Sequence, residues 1–140
     1  MPIPPDLAWS LSDQLGHVYS ILLSASRNAL ADAPLAVPEF IALVILQSFP
    51  EGLTQTAWGE HQGVTRQRAH TVTNTLAAEG LIAVTKEGRA STVTLAPAGQ
   101  ALLERYAPQT SLALAEALGR LTTKEARELS RLLTKLIGEA

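Results

Sequence analysis

Leu7, Leu11, Leu15, Val18, Leu22 and Ala25 recur at intervals of three and four, which is one stripe of a helix. Ile21, Leu23 and Leu30 widen the stripe, so a first helix of about Asp6 to Ala31 is expected to be buried on more than one side. Ala33-Pro34 closes it, because the residue before a proline is pushed away from helical angles. A second helix starts at Pro38, a residue tolerated in a first turn. Phe40, Leu43, Val44 and Leu46 carry it to Phe49, where Pro50-Glu51-Gly52 breaks it.

Two short helices follow. Thr54 reads as the N-cap of one, running from Gln55 to about Gln62 with Gly63 as its stop. Thr65 caps the next, Arg66 to Glu79, which Gly80 terminates. Ala69, Val72, Thr73 and Leu76 form its inner stripe, leaving Arg66, Gln67, Arg68, His70, Thr71 and Asn74 facing outward. The period then changes to alternation. Leu81–Thr85 and Ser91–Leu95 read as two strands, with Lys86-Glu87-Gly88-Arg89-Ala90 as the loop between them. Pro97 opens a fifth helix through Leu102, Leu103, Tyr106, Leu112, Leu114 and Leu118, which Pro108 is expected to kink or break. Thr122 or Thr123 caps a last helix striped by Leu129, Leu132, Leu133, Leu136 and Ile137, with Glu125 in its first turn.

The fold class expected is mainly α with a small β-hairpin (α+β). It is a winged helix-turn-helix flanked by N- and C-terminal dimerisation helices. The chain of 140 residues is the length of one ordinary domain. Within it, 38–96 form the winged helix-turn-helix lobe, and 6–33 with 97–138 form a helical dimerisation lobe. The apolar stripes of the terminal helices exceed what a winged helix of about 60 residues buries by itself, so an obligate homodimer is expected.

Composition narrows the chemistry. With 46% hydrophobic and 17% charged residues the chain is globular. It has no cysteine, which excludes disulfides, thiol catalysis, thiolate metal sites and cysteine redox sensing. Met1-Pro2-Ile3-Pro4-Pro5-Asp6 lacks the basic and apolar regions of a signal peptide, and the longest apolar window, Phe40 to Leu46, is far too short for a membrane span. A cytoplasmic protein is expected. The net charge of −2 argues mildly against nucleic acid, but its distribution does not. Residues 1–50 hold Asp6, Asp13, Asp32 and Glu39 against Arg27, whereas residues 61–95 hold Arg66, Arg68, Lys86 and Arg89 against Glu79 and Glu87.

A capped helix pair followed by a hairpin suits double-stranded DNA. The second helix fits a major groove and carries the groups that read base edges or hold phosphate: Arg for guanine, Gln or Asn for adenine, Thr for either. Its N-terminal residues, Thr65, Arg66, Gln67 and Arg68, are the usual base readers of such a helix, with His70, Thr71 and Asn74 further along. Arg66 and Arg68 cannot both face one groove; one is expected to read a base and the other to hold phosphate. Lys86 and Arg89 at the hairpin tip reach an adjacent groove or backbone. The bland reading of each is a solvated helix face or a tip made basic for solubility.

Three segments resemble the MarR family of bacterial and archaeal regulators. They are Leu53-Thr54-Gln55-Thr56; Gly63-Val64-Thr65-Arg66-Gln67 leading to Leu76-Ala77-Ala78-Glu79-Gly80-Leu81-Ile82; and Gly88-Arg89-Ala90-Ser91-Thr92-Val93-Thr94-Leu95-Ala96-Pro97-Ala98-Gly99. The resemblance implies a ligand-responsive repressor binding a palindromic operator as a homodimer. The first and last two helices then build the dimer interface, and Arg89 enters a minor groove. It also implies a small aromatic or phenolic effector, for which Trp9, Tyr19 and Trp58 are candidates, core packing being the alternative. The chain departs from the family at Trp58 and Gln62, where aliphatic residues are usual. It departs again at Gly59, which weakens its helix by about 1 kcal/mol relative to alanine. No cofactor is implied. His17, His61 and His70 show no metal-ligand spacing, and no nucleophile elbow, phosphate loop or HExxH motif points to an enzyme. The rival reading is a winged-helix dimer that has lost DNA binding and serves as an interaction module or antirepressor.

Overall fold

The computed structural model describes residues 1–138. Glu139 and Ala140, the end of the expected 1–140 domain, lie outside the described residues. The elements are α1 (Pro5–Ala29), α2 (Val37–Gln47), β1 (Leu53–Thr54), α3 (Gln55–Gln62), α4 (Arg66–Ala78), β2 (Ile82–Glu87), β3 (Ala90–Leu95), α5 (Pro97–Ala117) and α6 (Thr123–Ile137). This is the mainly helical winged-helix arrangement expected. The chain forms two compact units, residues 27–109 and the two terminal segments on either side of them.

In the central unit, the apolar positions of each element meet in one core. Phe40, Leu43 and Leu46 of α2, Trp58 of α3, Val72 and Leu76 of α4, Val93 of β3 and Leu103 of α5 are all buried. Trp58 is completely enclosed, and its indole Nε1 donates to the Ala42 carbonyl at 2.8 Å, so burial leaves no unmet donor. The capping pattern of the helix pair forms as expected. The Thr54 hydroxyl accepts from the Ala57 N–H, and the Thr65 hydroxyl from the Arg68 N–H, each at 3.1 Å. Gly59 is where α3 presses on α4. A Cβ built there would lie 3.0 Å from the Ala69 Cβ, so the residue that costs helix propensity makes room for the helix crossing.

The sheet differs from the expected hairpin in two respects. It has three antiparallel strands in the order β1-β3-β2, with Leu53 opposite Val93 and Thr54 opposite Thr92. A strand of two residues is too short to show alternation, which is why β1 was not expected. The wing loop is also shorter than the pattern suggested. β2 continues through Lys86 and Glu87, Glu87 pairs with Ala90, and only Gly88-Arg89 turn. Gly88 takes φ 63°, the left-handed first position that a two-residue hairpin turn of this kind needs. Lys86 is therefore a strand residue opposite Ser91 rather than a loop residue.

Of the two outcomes expected at Pro108, a kink or a break, the break does not occur: α5 runs through the proline as one helix. The residues around the proline are held by side chains: Gln109 Nε2 donates to the Ala29 carbonyl at 2.6 Å, and the Tyr106 hydroxyl to that of Asp32 at 3.4 Å. These anchors secure the helix where the proline lacks an N–H.

The terminal unit comprises α1 up to Ser26, α5 from Thr110, and α6. Its last helix opens with a complete capping box: Glu125 N–H to the Thr122 hydroxyl at 3.1 Å, and Thr122 N–H to Glu125 Oε1 at 2.9 Å. Among the described residues, no apolar side chain of this unit is buried. Leu7, Leu11, Leu15, Val18 and Ile21 of α1 are exposed, against the expectation of a helix buried on several sides. The stripe is there, but among the described residues of this unit nothing buries it. No described helix is long and apolar enough to cross a membrane.

Candidate nucleic-acid interface

α4 carries its two characters on opposite sides. Ala69, Val72, Thr73 and Leu76 are buried, whereas Arg66, Gln67, Arg68, His70, Thr71 and Asn74 are all exposed, as is the Thr65 cap. At about 100° per residue, Gln67, Thr71 and Asn74 fall within roughly 30° of the direction opposite the buried stripe. Arg66 and Arg68, about 160° apart, lie on the two flanks, with His70 on the Arg66 side.

Arg66, Gln67 and His70 line an open concavity of about 1040 Å³ together with Arg89 of the wing turn. Capping presents the α4 N-terminus to this space, and the two-residue turn sets Arg89 across from it. The sequence-predicted residues thus divide. Arg66, Gln67, His70 and Arg89 share the concavity, while Thr65, Arg68, Thr71, Asn74 and Lys86 are exposed outside its lining. The concavity also takes Thr54, Gln55, Thr56 and Glu60 from α3 and its cap, and Ser91 from β3, none of which the sequence assigned to DNA contact. The Thr54 cap signal marks the first three; nothing in the local pattern marks Glu60.

Among the described residues, Arg66, Arg68, Lys86 and Arg89 have no ion-pair partner, so all four cations are free to meet phosphate. The Thr71 hydroxyl donates to the Gln67 carbonyl at 3.1 Å and so has no proton left for a ligand.

The effector candidates separate in the same way. Trp58 is core, whereas Trp9 and Tyr19 on α1 are 78% and 63% exposed. Among the described residues, no three metal-ligating side chains cluster.

No protein-family model matches the chain. Individual proteins do. The HTH-type transcriptional repressor Rv2887 of Mycobacterium tuberculosis is 34% identical over 125 residues, covering 87% of this chain and 89% of the relative. A solved structure of the M. tuberculosis MarR family protein Rv2887 in complex with salicylic acid superposes with a TM-score of 0.71, over 90% of this chain and 95% of that one, at 34% identity. The complex of Rv2887 with DNA gives a TM-score of 0.68 over 90% and 96% of the two chains at the same identity. A MarR family regulator from Rhodococcus sp. RHA1 shares the fold over 98% of this chain and 99% of its own, with a TM-score of 0.86 at 17% identity. With a repressor this similar over nearly the whole chain, and a winged-helix lobe whose capped helix and wing arginine border one concavity, the chain belongs to the MarR family of transcriptional regulators.

Proposed function

We propose that this protein represses transcription by binding a palindromic double-stranded DNA operator as a homodimer in the cytoplasm, and that a small aromatic acid or phenol releases it. The observation that carries the reading is the shared concavity. Arg66, Gln67 and His70 on a capped helix and Arg89 on the wing turn face one space, and the arginines there have no ion-pair partner among the described residues. Residues 38–96 act as the reading lobe. α4 enters a major groove, with Thr65, Arg68, Thr71 and Asn74 completing its contacts, while Arg89 reaches a minor groove and Lys86 a phosphate.

Residues 6–33 and 97–138 act as the dimerisation lobe. Support comes from the exposed leucines and isoleucines of α1 and α6, each of which contributes about 1.5–3 kcal/mol when fully buried. A second copy related by a two-fold axis covers them, and that axis makes the operator palindromic. The effector reading rests on Rv2887, whose solved complexes include salicylic acid and p-aminosalicylic acid. The protein acts by binding and catalyses no reaction.

The test is fluorescence anisotropy on the DNA upstream of its own gene, with and without salicylate, alongside sedimentation of the free protein. Tight, salt-sensitive binding by a dimer, weakened by salicylate, is expected. A dimer that binds no DNA would overturn the reading in favour of an interaction module.

A further inference from the structure

The outward face of α4 is uncharged. Its apex is Gln67, Thr71 and Asn74, all exposed, while Arg66 and Arg68 stand about 90–110° away on opposite flanks. A helix lying in a major groove turns its apex toward the base edges and its flanks toward the two phosphate backbones. We propose that this protein reads A·T pairs through Gln67, Thr71 and Asn74, and that both arginines of α4 serve phosphates. The proposal deepens the DNA-binding reading above and rests on it.

The chemistry of the three side chains is specific. The carboxamides of Gln67 and Asn74 each offer a donor and an acceptor, the pattern that pairs with adenine N7 and N6. Thr71 is different, because its hydroxyl proton is committed to the Gln67 carbonyl at 3.1 Å. What it still offers a base is a methyl group and an acceptor, and the methyl suits the C5-methyl of thymine. The same bond ties Thr71 to the backbone of Gln67, so two of the three readers are held relative to each other. Gln67 and Asn74 are about 10.5 Å apart along the helix axis at 1.5 Å per residue. At 3.4 Å per base step that is about three base pairs for a helix parallel to the duplex axis, and about two for one inclined along the groove. Each half-site should therefore carry two A·T positions about two to three pairs apart, with a thymine methyl between them.

The flanks are suited to a different task. Arg66 borders the concavity with Arg89, Arg68 lies outside it, and neither α4 guanidinium has an ion-pair partner among the described residues. One on each side of the inserted helix, they match the two strands that border a groove. Contacts of that kind set register and affinity and carry no sequence information.

The experiment is a binding selection from random duplexes with the full-length protein, repeated with Gln67→Ala, Asn74→Ala, Arg66→Ala and Arg68→Ala at two salt concentrations. The expected motif has A·T at the two positions. Gln67→Ala should relax one and Asn74→Ala the other, each losing roughly tenfold discrimination. Each arginine variant should keep the motif, bind all sequences more weakly and flatten the salt slope by about 0.9. Replacing the central thymine by uracil removes its methyl. This should weaken the wild type and Thr71→Val but leave Thr71→Ser unaffected. A motif with G·C at these positions that is lost with Arg66→Ala or Arg68→Ala would overturn the proposal while leaving DNA binding intact. If selection enriches nothing and anisotropy shows no binding, the functional reading falls and this inference with it.

Discussion

Residues 27–109 enclose Leu43, Leu46, Trp58, Leu76 and Leu103 almost completely, whereas the terminal segments leave Leu7, Leu129, Leu132, Leu136 and Ile137 at the surface. The apolar stripes of α1 and α6 are as regular as that of α2. The regions differ in what stands opposite the stripe. α2 faces α3, α4 and the sheet within the same unit, and Trp58 reaches across to bond the Ala42 carbonyl. Within their own unit, the described residues of the α1 and α6 stripes stay unburied. The contrast teaches that a regular stripe establishes a helix with one apolar face, without saying what covers that face.

The largest effect is expected from charging the uncovered stripe. Leu132→Glu with Leu136→Glu should convert the proposed dimer to monomer. It should also weaken operator binding by roughly a hundredfold or more, because two linked half-sites become independent. Analytical ultracentrifugation and anisotropy on the same samples measure both. A variant that stays dimeric with wild-type affinity would place the interface elsewhere. The counterpart in the enclosed region is Leu43→Ala, which should cost about 2–5 kcal/mol through the cavity it leaves. Its loss in melting temperature should persist at all protein concentrations, whereas the wild type should itself melt higher as concentration rises.

The same contrast explains how much was legible in the sequence. α3 and α4 were readable to within a residue because each carries its own boundary chemistry: Thr54 and Thr65 at the start, Gly63 and Gly80 beyond the end. The inner stripe of α4 was readable because its partners lie nearby in the fold. β1 was not, since two residues carry no period, and its identity depends on pairing with β3 some forty residues away. The length of the wing turn was missed for the same reason: Lys86 and Glu87 look like loop by composition, and only cross-strand pairing makes them strand. Gly59 read as a flaw because its function lies on α4, at Ala69. Of the candidate site, the outward exposure of the α4 residues and of Arg89 was legible. Their division between one concavity and the open surface was not, and neither was the presence of Glu60 there.

A smaller effect sharpens the difference between surfaces within the enclosed region. Arg89→Ala should weaken operator binding by about 1–3 kcal/mol while circular dichroism stays unchanged. Arg89 sits on an exposed two-residue turn and supports nothing beneath it. Lys86→Ala should do less, as a strand residue outside the concavity whose proposed role is one phosphate contact among many. Equal losses from the two variants would remove the special role of the turn.

The smallest effect concerns the cap of α6 in the terminal unit. The N-terminus of α6 is secured by local chemistry alone, the reciprocal Thr122–Glu125 box. The Thr122 backbone N–H on its carboxylate, and then the Thr122 hydroxyl, hold the Glu125 carboxyl below its ordinary range. A carboxyl depressed in the folded state contributes stability that is complete above its unfolded pKa and is lost as pH falls through its folded one. The cap should therefore be intact at neutral pH and fade only in acid. The Glu128 carboxyl, held down by Arg131, fades in the same region and makes the titration of α6 a composite. Following the Glu125 carboxyl carbon by NMR separates the two. Its midpoint in the wild type should lie below that of an unstructured glutamate. Thr122→Ala should raise it only part of the way, because the larger influence, the backbone N–H at residue 122, survives the substitution. A full return to the unstructured value would show that the hydroxyl, rather than the backbone, holds the cap closed.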